Sequence, residues 1–81
     1  MKGTKANVIM KEAIRERGIT QTKLAGMLGM LPHGLSESIN RTRVSLDKFE
    51  QILDALRYDV VVVDRETGEI KWMLEGNDEL L

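Results

Sequence analysis

The sequence predicts one small, mainly α-helical domain that carries a β-hairpin at its C-terminal end. Its 81 residues suffice for a single hydrophobic core. Apolar residues recur at helical spacing in four segments before Tyr58, and a run of β-branched residues and an alternating segment follow. We therefore divide the chain into a helical bundle over residues 1–58, a hairpin over 59–74 and a flexible acidic tail over 75–81.

The first two helices are defined by apolar spacing and by residues that favour helix ends. The first is predicted over residues 5–17, where Gly18 follows a basic last turn. Thr20 is suited to cap a second, short helix, and Gly29 is suited to stop it. The face predicted to be buried consists of Leu24, Ala25 and Leu28.

The third helix is predicted to start at Pro32, whose missing N–H would have no partner in the first turn. It ends near Asn40 or Arg41. Leu35 and Ile39 are four residues apart and form one buried stripe. Turned inward, that stripe leaves a polar outer face consisting of His33, Glu37 and Asn40, with Ser36 at its edge.

The fourth helix has the strongest apolar face in the chain. Ser45 is a favourable N-cap, and Asp47 is well placed in the first turn beside the positive end of the helix dipole. We expect its buried side chains to be Leu46, Phe49, Ile52, Leu53 and Leu56.

A β-hairpin is predicted after the helices. Val60 to Val63 are all β-branched, and Gly68 ends a turn-like segment that begins at Arg65. Ile70, Trp72 and Leu74 then alternate with the intervening residues. The valines lie on both sides of one strand, but a lone hairpin can pack only one of those sides against its own helices. We therefore expect a second copy of the chain to cover the other side. The predicted dimer contacts are Val61, Val63 and Trp72.

The formal charge of −1 conceals two oppositely charged halves. Residues 1–48 hold nine Lys and Arg against four Asp and Glu, which gives +5. Residues 49–81 hold three against nine, which gives −6. Only the first half is expected to attract a polyanion.

Several function classes are disfavoured by composition. The chain has no cysteine, so it has neither a disulfide framework nor a thiolate metal site. Its N-terminal apolar stretch is too short for a signal-peptide core, and no run is long enough to span a membrane. No catalytic arrangement is evident either. We expect a cytoplasmic protein that is not an enzyme and uses no metal or cofactor.

Residues 20–43 resemble the helix-turn-helix segment of the Cro and phage-repressor family, which is also called the xenobiotic-response-element type. The matching positions are Thr20, Gln21, Leu24, Ala25, Leu28, Gly29, Leu35, Ser36 and Asn40. Including the flanking helices, the resemblance covers roughly residues 5–58 and leaves the hairpin unexplained. It implies a four-helix, repressor-like helix-turn-helix bundle whose third helix enters the DNA major groove.

The resemblance also implies roles for individual residues. Gln21 and Asn40 would hold the DNA backbone, and positions 33 and 37 would read bases. We assign base contacts to His33, Ser36 and Glu37, and backbone contacts to Thr20, Gln21, Lys23, Asn40, Arg41 and Arg43. His33 and Glu37 have simple alternatives as solvated side chains.

Three positions depart from the pattern of this family. Leu31 stands where a capping Ser or Thr is common, so the start of the third helix is expected to be displaced or distorted. Gly34 weakens that helix by about 1 kcal/mol relative to alanine. Arg41 replaces a frequent glycine.

The resulting expectation is a transcriptional repressor that binds double-stranded DNA as a homodimer on an inverted repeat. An alternative of a different class stays open: an antitoxin or interaction module whose acidic C-terminal half binds a basic, toxin-like protein. The two functions are compatible in one chain.

Overall fold

The protein, described here by a computed structural model of residues 3–75, has four helices followed by a two-stranded antiparallel hairpin. The elements are α1 (Ala6–Arg17), α2 (Gln21–Met27), α3 (Pro32–Asn40), α4 (Leu46–Ala55), β1 (Val61–Val63) and β2 (Ile70–Met73). The predicted mainly α class with a C-terminal hairpin is therefore confirmed. Most of the predicted tail, residues 76–81, lies outside the described residues.

The helix ends follow the local signals of the sequence. Gly18 ends α1 with a φ of 67°. The hydroxyl oxygens of Thr20 and Ser45 accept hydrogen bonds from the third backbone N–H beyond them, and so cap α2 and α4. Leu31 precedes α3 in an ordinary extended conformation, and α3 begins at Pro32. The expected displacement of α3 does not occur, because Pro32 already fixes the backbone of its first turn.

The core is formed by side chains from all four helices. Ten hydrophobic residues within 3–75 are buried: Met10, Ala13, Ile14, Leu24, Ala25, Leu35, Ile39, Ile52, Leu53 and Leu56. Phe49 and Val60 pack against this cluster from its edge. Leu46, predicted to be buried, is instead 60% exposed, because the first turn of α4 extends past the core.

A polar clamp fastens the end of α1 to the end of α4. The Arg17 guanidinium donates to the carbonyl oxygens of Leu56, at 2.8 Å, and Arg57, at 3.2 Å. Its centre also lies 4.0 Å from the centroid of the Tyr58 ring, within cation–π distance. The Tyr58 hydroxyl donates to the Glu16 carboxylate. These contacts satisfy carbonyls at the end of α4 that have no partner within the helix.

The hairpin extends away from the bundle. Val61 faces Met73, Val62 faces Trp72, and the register shifts before Val63 pairs with Ile70. Every side chain of the two strands is exposed, and Val60, just before β1, is the point that packs against the core. The expectation that one whole side of the hairpin would cover the helices was therefore wrong, because contact with the bundle stops at its base.

The two glycines around the end of α2 provide a test of backbone conformation. A methyl group added at Gly26 or at Gly29 would meet no atom within 4 Å, but only Gly29 has a positive φ, of 68°. Gly26→Ala should stabilise the protein by about 0.5–1 kcal/mol, because alanine favours a helix interior. Gly29→Ala should destabilise it by about 1–2 kcal/mol. Urea unfolding measures both changes, and two shifts of the same sign would contradict this assignment.

The hydroxyl of Tyr58 should be harder to ionise than usual. Its hydrogen bond to the Glu16 carboxylate, aided by desolvation, raises the pKa of Tyr58, and the Arg17 charge offsets part of the rise. A raised native pKa means that the stabilisation is complete below about pH 10, the ordinary tyrosine value, and is lost as pH rises through the native pKa.

Because Tyr58 is the only tyrosine in the chain, its ultraviolet absorbance can be titrated directly. The native midpoint should lie above the midpoint of the unfolded chain, and Glu16→Gln should lower it. Equal midpoints for the native and unfolded protein would show that the Tyr58 to Glu16 contact does not persist in solution.

Candidate nucleic-acid interface

The candidate interface is built on the corner between α2 and α3. Ala25 of α2 is completely buried, and its small side chain allows a close approach of the two helices. The N–H of Met30 donates to the carbonyl oxygen of Ala25 at 2.8 Å, which folds the chain back after α2. Gly29 lies in the left-handed region that this reversal requires. The corner thereby fixes the direction of α3.

The outer face of α3 carries the side chains predicted to read bases. Leu35 and Ile39 are completely buried, so the opposite side of the helix faces solvent. His33 and Glu37 are exposed there, and Ser36 is half-buried at the edge of the same face. The predicted orientation of α3 is confirmed. Their contacts with DNA bases remain a prediction.

Asn40 is exposed at the end of α3, as expected, but its amide group is occupied. Its Nδ2 donates to the backbone oxygen of Ser36 at 2.7 Å and lies 3.3 Å from the Ser36 hydroxyl oxygen. A phosphate oxygen needs a donor, so Asn40 must release one of these contacts before it can hold the DNA backbone. In this arrangement, Asn40 instead fixes the position of Ser36.

The cations proposed to hold phosphates are available. Lys23 on α2 and both Arg41 and Arg43 after α3 are exposed. Within residues 3–75 none of the three takes part in an ion pair. Gln21 and Thr20 are exposed at the start of α2, where the Thr20 hydroxyl accepts from the Lys23 N–H at 3.1 Å. The residues predicted to contact the DNA backbone therefore lie both before and after α3 in the sequence.

Lys48 lies beside the same corner. This half-buried side chain places its Nζ 4.0 Å from the Sδ atom of Met30, which belongs to the segment joining α2 to α3. The contact adds a positive charge near the start of α3. The sequence alone does not indicate this contact, which joins residues 18 positions apart.

The sequence did not identify Leu31 as a functional residue. Its side chain is 69% exposed immediately before the first turn of α3, and it forms no capping hydrogen bond. Met27 on α2 is 54% exposed. The signal at Leu31 was a large apolar residue at the position where a polar cap is preferred. Its exposure places an apolar side chain next to the start of α3.

The three residues predicted as dimer contacts lie outside this interface. Val61, Val63 and Trp72 are all on the hairpin, and all are exposed. Among residues 3–75 there is no cluster of three potential metal ligands. None of the helices in that range is both long enough and apolar enough to cross a membrane.

Comparisons with protein-family models, with curated proteins and with solved structures found no match to this chain.

Proposed function

We propose that the protein is a DNA-binding transcriptional repressor, with a repressor-like helix-turn-helix formed by α2 and α3. One observation carries the proposal: α3 presents a polar, solvent-facing side between flanking cations that have no ion pairs in the described residues. A helix held at such a corner fits the major groove, and unpaired Lys and Arg are the groups that neutralise phosphates.

Within this proposal, the two kinds of contact have separate roles. Lys23, Arg41 and Arg43 hold the phosphate backbone and set the register without reading sequence. Glu37 and His33 lie about one helical turn apart on the outer face of α3 and contact base edges. A carboxylate accepts a hydrogen bond from the cytosine amino group, so Glu37 selects for cytosine while weakening attraction to DNA in general.

A homodimer completes the proposed mechanism. Two copies related by a two-fold axis would present two α3 helices to successive major grooves, so the target is an inverted repeat with half-sites about one helical turn apart. The hairpin is the proposed contact between the copies, because its apolar side chains are exposed beyond the bundle.

The exposed hairpin also supports a second candidate function. An antitoxin or interaction module would use the same acidic C-terminal half to bind a basic protein. As the sole function of the hairpin, this candidate predicts that the purified chain is monomeric until its partner is added. The homodimer proposal predicts a dimer without any partner.

Salt dependence of DNA binding tests the main proposal. Anisotropy of a fluorescein-labelled duplex, titrated from about 50 to about 200 mM salt, should show log affinity falling by roughly 0.9 per unit of log salt for each phosphate neutralised. A preferred site selected from a random pool should contain an inverted repeat. Absence of binding at low salt, or binding that is insensitive to salt, would contradict the proposal.

Matched variants assign the contacts within that experiment. Arg43→Ala should reduce the salt slope by about one and weaken specific and random duplexes alike. Arg65→Ala removes another exposed charge, from the hairpin turn, and should leave the slope unchanged. Glu37→Gln should strengthen binding to random DNA, because it removes an anion from the groove-facing side. A weaker complex with random DNA would contradict this orientation of α3.

Leu31 should contact a thymine methyl group, because residues at the start of the groove-facing helix meet base edges and apolar side chains pack on that methyl. Replacing single thymines of the selected site by deoxyuridine removes only the methyl. One such replacement should weaken wild-type binding about fourfold, the effect of exposing one methyl group.

The same replacement should have no effect in Leu31→Ala. As a control, Ile70→Ala truncates a similarly exposed hairpin residue and should retain the fourfold effect. A thymine effect of equal size in wild type and Leu31→Ala would show that another residue makes the contact.

A further inference from the structure

Strand β1 combines exposure with an absence of charge. The side chains of Val61, Val62 and Val63 are 36%, 55% and 48% exposed, and Val60 before them is also uncharged. Consecutive exposed valines on a short strand are unfavourable in water and prone to pairing with another strand. The strand is thus suited to contact a further protein surface.

The backbone hydrogen bonds show which groups of β1 face outward. The carbonyl oxygen of Val60 accepts from the Leu74 N–H at 2.7 Å, and the Asp64 N–H donates to the Glu69 carbonyl at 2.9 Å. Backbone groups alternate along an antiparallel strand, so the groups of Val61 and Val63 point away from β2. Within residues 3–75, no backbone hydrogen bond joins these outward groups to another element.

The two edges of the hairpin differ in their protection against pairing. On β2, the register shift between the partners of Val62 and Val63 leaves Lys71 as an extra residue, and lysines and bulges are two devices that block strand addition. Strand β1 has no charged residue, proline or extra residue. Pairing through β1 is therefore favoured over pairing through β2.

We infer that two copies of the chain pair through the outer edges of their β1 strands, which gives a four-stranded antiparallel sheet. This inference rests on the proposed homodimer and specifies how it forms. A two-fold axis requires matching residues to face each other symmetrically, and the outward groups of Val61 and Val63 must form the new hydrogen bonds. Centring the axis on Val62 satisfies both conditions and pairs Val61 with the partner's Val63.

This register is also favoured by packing, and no charged side chain lies within the paired segment, Val61 to Val63. Trp72 faces Val62 within the hairpin, so the tryptophans of the two copies would flank the central pair of valines. The acidic residues Asp59 and Asp64 lie before and after β1, and none lies within it. A second copy therefore fits this edge better than a basic protein.

Proline substitution on the two edges distinguishes the pairing modes. Val61 and Met73 face each other, and the N–H of each points away from the other strand, so proline at either position removes no hydrogen bond of the hairpin. Val61→Pro should raise the dimer dissociation constant at least about tenfold in sedimentation equilibrium, because it removes two hydrogen bonds between the copies. Met73→Pro should leave the constant unchanged.

Cysteine substitution gives a readout independent of proline tolerance, because the chain has no other cysteine. Val62→Cys should form a disulfide-linked dimer under mild oxidation, since residues facing across a non-hydrogen-bonded pair approach disulfide distance. Met73→Cys, with similar exposure, should remain unlinked.

The outcomes separate this inference from the proposed function. A dimer that survives Val61→Pro, or links through Met73→Cys and not through Val62→Cys, overturns β1 pairing and leaves the homodimer intact. An intact protein that stays monomeric without a basic partner overturns both. If the intact protein pairs through β1 but does not bind DNA, the repressor proposal alone is overturned.

Discussion

The close approach of α2 and α3 leaves room for no side chain larger than a methyl group at position 25. Ala25 and its neighbour Leu24 are completely buried, as are Leu35 and Ile39 on the facing helix. A larger side chain at position 25 would separate the helices at a typical cost of about 1–3 kcal/mol. It would also turn the outer face of α3, because the direction of that helix is fixed by the same contact. The proposed DNA contacts therefore depend on a residue that does not touch DNA.

Local features of the fold were predictable from the sequence, because they depend on residues close together in the chain. The caps at Thr20 and Ser45 and the stop at Gly18 each require one suitable side chain at a helix end. The orientation of α3 was predictable because Leu35 and Ile39 form a narrow stripe that allows only one buried side. The bond from Asn40 to Ser36 also has a local signal, a polar residue four positions after a serine.

Features that depend on distant residues were not predictable in this way. Arg17 and Leu56 are 39 residues apart, and the sequence does not show that a guanidinium and that carbonyl will meet. Leu46 was assigned to the core because it continues a helical pattern, but the pattern does not show where the core ends. The exposure of Leu31 follows from the same limit, since periodicity predicts which side of a helix is apolar and not whether a partner surface is present.

The hairpin contributes little to the stability of the helical bundle. The ten buried hydrophobic side chains all lie between Met10 and Leu56, and Val60 is the hairpin residue that packs most clearly on them. Exposed valines on β1 increase the risk of aggregation, so a requirement other than folding must account for them. The acidic half that contains β1 is repelled by DNA, and we expect it to point away from the phosphates while α3 is bound. That orientation leaves the edge of β1 accessible to the second copy of the chain while α3 is bound to DNA.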